Sequence, residues 1–579
     1  MEMYEKFNWQ RCFKYASRIW ENDRLLSNSA FLRTAEYIET EMRNIGLEEV
    51  EVLNAKADAR TMYAEWIIPR AWEIRSARLS YEDGEIIADY DEIPCSVSMR
   101  SAKTPKEGLV LEAVDADKQE AGEWMRGKLL FSSKPASMLS DTALKYGASG
   151  IITDYFPLYE GIRESAEDVS GAARWDCEFM GNTNNTSLFA FNLTPERGEQ
   201  LRKRLAAGEK INLRAFVDSE EFDGFAPTIS GAIKGTDPSL GEIFLYAHLY
   251  EPGANDNASG CAVLMEVMNM YLSAIRDGTL QSPKRTIRLA LGQECMGSNA
   301  YLIHHPERDE RICLDADMIG TEKIDNAILG ICHSPYSNWS FLDDLIEETV
   351  QTAQTFAPFP YHSRPFSISS DNMLADPYFK MPTVALITAP AKSYHSSMDT
   401  PDRLEEGVMR RNAWIFFTML QKLSMASEET PVSLTFAFTK KKLAEAKNPL
   451  EREFWRAKAE HIRAELASFS KGEIPPAFET AFSFPKPPAG ITPLRAVRII
   501  DGCMTLPKTD PETGKTFYPA WNKTPHLPLF WINGKRTVWE IACLTAMEEG
   551  NNDYERAYEE CLSLFRALDK CGNVNLESI

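Results

Sequence analysis

No run in this 579-residue chain approaches the about twenty consecutive apolar residues that a membrane-spanning helix needs. The opening MEMYEKFNWQRCFKYASRIW lacks the basic stretch and apolar core of a secretory leader. Positive charge is also short. With 63 Lys and Arg against 85 Asp and Glu, the formal net charge is −22, and the basic residues form no cluster. Such a field repels nucleic-acid phosphate and anionic lipid, so neither nucleic acid nor membrane is expected as a partner. Cys-x-x-Cys pairs are missing too. The eleven cysteines are scattered, and an odd number leaves at least one thiol unpaired. The expected setting is therefore reducing, namely the cytoplasm.

What the chain does contain is organised around AHLYEPGANDNASG, Ala247 to Gly260. The β-prone run Ile243 to Leu249 reads as a buried strand with His248 at its C-terminal end, where α/β folds bind ligands. A Gly-containing turn follows, then Asp256 between two asparagines. Cys261, Leu264, Met265, Met268, Leu272 and Ile275 then keep helical spacing, which puts Asp256 at or just before a helix N-terminus. Taken alone, this segment is equally well read as a core histidine and an N-capping aspartate.

Three later segments repeat the design. The run Ile287 to Leu291 ends at Gln293-Glu294 and a Gly-Ser pair, and RICLDADMIG ends its apolar alternation at Asp315 and Asp317. The strand-like Val384 to Ile387 leads through a short loop to His395. Four apolar runs that each end in a carboxylate or imidazole are hard to attribute to packing. Zinc takes His nitrogen and carboxylate oxygen, and two ions can share a bridging carboxylate, so two His and three carboxylates suffice for a dinuclear site.

These segments resemble the co-catalytic zinc peptidases that include leucyl aminopeptidases and glutamate carboxypeptidase, in that family's order His, Asp, Glu, Asp, His. ANDNASG, DMIG and YHSSMDTPD match most strongly, and SSDNMLADPYFKMPTVAL places Asp371 in the family's acidic position. A subgroup with a winged-helix C-terminus is similar in having Pro-Gly before ANDN. The resemblance implies two Zn²⁺ per chain, with Asp256 bridging, His248 and Asp317 on one ion, and Glu294 and His395 on the other. It also implies an exopeptidase acting on peptides through a metal-bridged hydroxide, an aminopeptidase first and a carboxypeptidase second. Glu251 and Asp371 are candidate acceptors for a substrate α-ammonium, Tyr394 would line the cleft, and Arg364 is the nearest guanidinium for a substrate carboxylate. A non-catalytic relative and a one-zinc acyl-transferring relative are the rival readings. Two residues depart from the pattern. Tyr250 stands where many members have an Asp that orients the first His, and Gln293 stands where the family's general base is usually Glu. Either the base is missing or Glu294 has taken that role.

Read in order, the chain divides into five parts. Residues 1–94 begin a peptidase domain, with Phe31, Ala35, Ile38, Met42 and Ile45 on one helix face before Gly46. Residues 95–222 interrupt it with an insert that resembles a protease-associated domain, in which Trp175, Phe179 and Asn182 to Asn185 lie in a loop able to reach the site. Residues 223–430 complete an α/β domain with a mostly parallel or mixed sheet and helices on both faces. A charged helical segment and a Pro-rich linker fill 431–494. Residues 495–579 look like a winged helix, with an Asn533-Gly534 turn, a Thr537-x-x-Glu540 capping box and a docking or homo-oligomerising role rather than DNA binding. Every expected ligand precedes that unit, so metal binding should not depend on it.

Overall fold

The computed structural model describes residues 2–22, 24, 27–64, 66–175, 187–474, 478, 482–499, 508–509, 516–517 and 526–579. Phe179 and Asn182 to Asn185 lie outside the described residues.

An eight-stranded mixed sheet carries the site. Its order is Glu48–Ala57, Gly224–Ile233, Thr286–Gly292, Glu242–His248, Glu310–Asp317, Thr383–Ile387, Leu329–Cys332 and Tyr361–Arg364. The four central strands, from Thr286–Gly292 to Thr383–Ile387, run parallel. The chain passes from Glu242–His248 to one neighbour and then to the other, so the strand order reverses there. A crevice outside the carboxyl ends of the strands is the outcome expected at such a point.

Strand alternation decides which face each side chain takes. Ile243, Leu245 and Ala247 pack with Leu289, Leu291, Leu314 and the helices Trp9–Trp20, Ser29–Ile45, Ala258–Arg276 and Glu406–Ser424 in the largest core. Phe244 and Tyr246 point the other way, with Cys313 and Leu374. His248 continues the second set, as does Asp317 after Cys313. Helix Ala258–Arg276 is apolar and long enough to cross a membrane by composition, but it is packed inside the protein.

A second sheet of seven strands runs Ile86–Asp89, Ala71–Tyr81, Ile211–Phe222, Leu109–Asp115, Leu129–Ser132, Gly150–Thr153 and Phe189–Asn192. It begins at Ala71, ahead of the boundary at 95 read from the sequence, because Ala71–Tyr81 pairs along its length with Ile211–Phe222. The charged segment is the helical pair Ala437–Glu445 and Pro449–Lys471.

The C-terminal unit holds helices Val538–Glu548 and Tyr554–Lys570 and a ladder of Leu494–Arg498 with Val574–Ser578. The Thr537–Glu540 capping box forms. The Asn533-Gly534 turn joins a helix, His526–Phe530, to the next helix. Asn533 Oδ1 accepts the Lys535 and Arg536 N–H groups, a side-chain turn that needs no flanking strands.

Candidate metal centre

His248 ends its strand fully buried, and its Nδ1 lies 3.0 Å from the Tyr250 carbonyl oxygen. That bond fixes the ring so that Nε2 faces Asp317 Oδ1 at 3.2 Å and Asp256 Oδ1 at 3.6 Å. The orienting acceptor is thus a backbone carbonyl, which the missing aspartate at 250 had concealed. The Tyr250 side chain turns away into the core of the second sheet, with its hydroxyl 3.6 Å from Met99 sulfur.

Asp256 reaches two imidazoles. Its Oδ2 is 3.3 Å from His395 Nε2, which also lies 3.8 Å from Glu251 Oε2. His248, Asp256 and Asp317 form one group of converging donor atoms, and Glu251, Asp256 and His395 form a second. Asp256 belongs to both. Glu251 therefore occupies the place beside His395 that the resemblance gives to Glu294, and Glu294 is in neither group.

The loop holding Asp256 is built by its neighbours. Asp399 accepts the Asn255 and Asp256 N–H groups at 2.7 and 2.9 Å. Asn257 caps helix Ala258–Arg276 through Gly260 N–H and also accepts Met318 N–H. The buried Arg24 donates to the carbonyls of Leu249 and Gly253. A Cβ at Gly253 would lie 2.1 Å from Asp399 Oδ2, which explains a glycine directly before ANDN. Asp399 and Arg24 went unnoticed in the sequence. YHSSMDTPD contains Asp399, but nothing local marks Arg24.

Four non-glycine residues around the site have positive φ, namely Glu251 (82°), Cys295 (56°), Met318 (51°) and His395 (54°). Such backbone persists only where surrounding contacts hold it, and it concentrates at functional sites. At Cys295, Asp371 Oδ1 accepts both the backbone N–H at 2.9 Å and the Ser298 hydroxyl at 2.5 Å. Asp371 thus anchors the turn that carries Glu294. Gln293 is buried with its Oε1 lacking a hydrogen-bond partner, and both Asp315 oxygens are likewise buried and unpaired.

Like charge dominates the electrostatics. Burial, then the carboxylates around it, pushes Glu294 up to about 8. Burial also raises Asp371 to about 7 and Asp399 to about 8. Glu251 is held well above its usual range by burial and by Asp256 and Glu294. Burial disfavours a charged His248, yet Asp317, Glu294 and Asp256 override it and hold its pKa well above normal. For His395 burial prevails and the pKa falls. Crowded carboxylates facing imidazoles call for cationic charge at their centre. Nitrogen and oxygen donors of this kind suit zinc, so the residues fit two such ions.

The remaining expected residues are also placed. Tyr394 lies against His395, ring centroids 3.7 Å apart and planes tilted by 34°. Trp175 of the insert covers the same imidazole, its ring centroid 4.2 Å away, and its backbone N–H donates to the His395 carbonyl at 3.0 Å. The insert therefore touches the site. Arg364 sits on an edge strand, where it donates to His362 and to the Ala389 carbonyl.

Two histidine–carboxylate groups sharing one aspartate at the carboxyl edge of a mixed sheet define a dinuclear metallohydrolase. Residues 228–420 match the model of peptidase family M28. Comparison with curated proteins gives no match. Among solved structures, the chain is similar to a zinc aminopeptidase from Bacillus subtilis, BSAP, at 18% identity and a TM-score of 0.51 over 72% of this chain and 94% of that one. A peptidase M28 precursor from Shewanella amazonensis matches at 15% identity and a TM-score of 0.55, over 74% of this chain and 96% of that one. A candidate peptidase from Clostridium acetobutylicum matches at 13% identity and a TM-score of 0.50, over 99% and 97%. At these identities the likeness establishes a shared fold.

Proposed function

We propose that this protein is a zinc-dependent aminopeptidase that removes N-terminal residues from peptides. The observation that carries the reading is Asp256, with one oxygen toward each of two imidazoles, 3.6 and 3.3 Å away. His248, Asp256 and Asp317 would hold one ion, and Asp256, His395 and Glu251 the other. When bound, the ions supply Lewis acidity at the scissile carbonyl and lower the pKa of the attacking water.

The chain's own residues do the rest. Glu294 lies outside both donor groups, so its carboxylate is left to take a proton from water and return it to the leaving amine. Gln293 cannot accept a proton and serves to orient. Asp371 holds the Glu294 turn in place through Cys295 N–H. Trp175 and Tyr394 flank His395 and exclude water from that side. Arg364 already donates within its own sheet edge, which favours recognition of a peptide's amino end over its carboxylate.

The test is a panel of aminoacyl substrates with the N-terminus free or blocked. Hydrolysis of the free forms, abolished by N-acylation, is the expected result. Cleavage that needs a free C-terminus instead would move the assignment to a carboxypeptidase.

A further inference from the structure

Asp376 is a buried carboxylate whose cationic partner comes from near the other end of the chain. Arg498, on strand Leu494–Arg498 of the C-terminal unit, donates from Nη1 to Oδ1 at 2.8 Å and from Nη2 to Oδ2 at 2.9 Å. This is a two-pronged pair, and removing one side of a buried pair strands the other charge. Asp376 closes the short turn Asp371–Ala375 through its N–H to the Met373 carbonyl at 3.0 Å. At the other end of that turn stands Asp371, which holds Cys295 N–H and the Ser298 hydroxyl. Cys295 directly follows Glu294 and has φ 56°, so its backbone depends on being held from outside.

Apolar contacts run alongside this path. Phe366 meets Phe530 and His526 of the C-terminal unit at ring-centroid distances of 5.5 and 5.7 Å. Cys295, Met373 and Ala375 share one core with Phe530, Trp531 and Ile541. Glu548 accepts Tyr336 N–H at 2.7 Å, and Asn338 donates to the Ala375 carbonyl at 2.9 Å. The segment that anchors the catalytic turn is thus held by the C-terminal unit through an ion pair and a shared apolar core.

We infer that Arg498 is a positioning residue for the proposed reaction, through which the C-terminal unit, by way of Asp376 and Asp371, sets where Glu294 lies. The inference rests on the aminopeptidase reading only in assigning Glu294 its proton-transfer role. It gives the C-terminal unit a function inside its own chain.

The test uses the full-length protein. Arg498→Ala should lower kcat roughly 10- to 100-fold, the scale of a misplaced catalytic group, with KM and zinc content unchanged. Amide hydrogen exchange over residues 295–298 should quicken, and Arg498→Lys should recover part of both effects. A folded Arg498→Ala protein with wild-type kcat and wild-type exchange over 295–298 would overturn the inference. So would a change confined to thermal stability. If Arg498→Ala does not fold, Asp376→Asn takes its place, since it removes the charge and one of the two acceptors of the pair at unchanged size, and unaltered exchange and kcat there would overturn the inference equally. The exchange reading needs no turnover. A wild-type protein that cleaves no peptide would therefore remove the aminopeptidase assignment while exchange still decides the coupling.

Discussion

Trp175 and His395 belong to different sheets' domains, yet their rings lie 4.2 Å apart and the backbone N–H of Trp175 donates to the His395 carbonyl. The insert therefore helps to build the site. Trp175→Ala should lower kcat/KM by between about 2- and 10-fold, the worth of one aromatic contact, while Trp175→Phe keeps most of it. Steady-state kinetics on a peptide substrate checks this. Equal activity in all three proteins would make the insert a bystander.

Gln293 and Glu294 divide the labour at the end of their strand. Glu294→Gln should retain both metals and lose about 10²- to 10⁴-fold in kcat, the usual worth of a general base. Gln293→Glu should help little, since it adds one more charge to an already crowded carboxylate cluster. If Glu294→Gln loses metal first, and Gln293→Glu raises kcat substantially, the roles are the reverse.

Much of this site was legible in the sequence. His248 and Asp317 end apolar runs, Asp256 and His395 follow such runs through loops, and parallel strands of matched register bring the run ends together. Glu251 could not be placed beside His395 from spacing. Its position depends on a positive φ and on Arg24, more than two hundred residues earlier, holding the loop. The orienting partner of His248 was hidden because a backbone carbonyl leaves no signature in residue identity. The extent of the second sheet was hidden because Ala71–Tyr81 pairs with a strand far along the chain. The separability of the C-terminal unit looked secure because every ligand precedes it. The core it shares with Cys295 and Met373 arises from tertiary packing alone.

The crowded carboxylates also predict how the metal-free protein responds to pH. Glu294, Asp371 and Asp399 rise to about 8, about 7 and about 8, from ordinary carboxylate values near 4 in the unfolded chain. Between about pH 4 and 8 the folded state holds protons that the unfolded state has released, so stability falls as pH rises through that window. Raised His248 acts in the same direction, because its added stability is lost as pH rises through its folded pKa. Thermal melts in chelator should show Tm falling from pH 5 to pH 8. Added zinc should restore Tm most at the upper end, where protons no longer compete for the donors. A Tm that rises with pH in chelator would contradict this balance.

The central claim is that Asp256 bridges two metal sites, and metal content measured by elemental analysis tests it most directly. Wild-type protein should bind about two zinc ions per chain, His395→Ala about one, and Asp256→Ala close to none. A wild-type protein that saturates at one ion, or an Asp256→Ala protein that still binds two, would contradict the account.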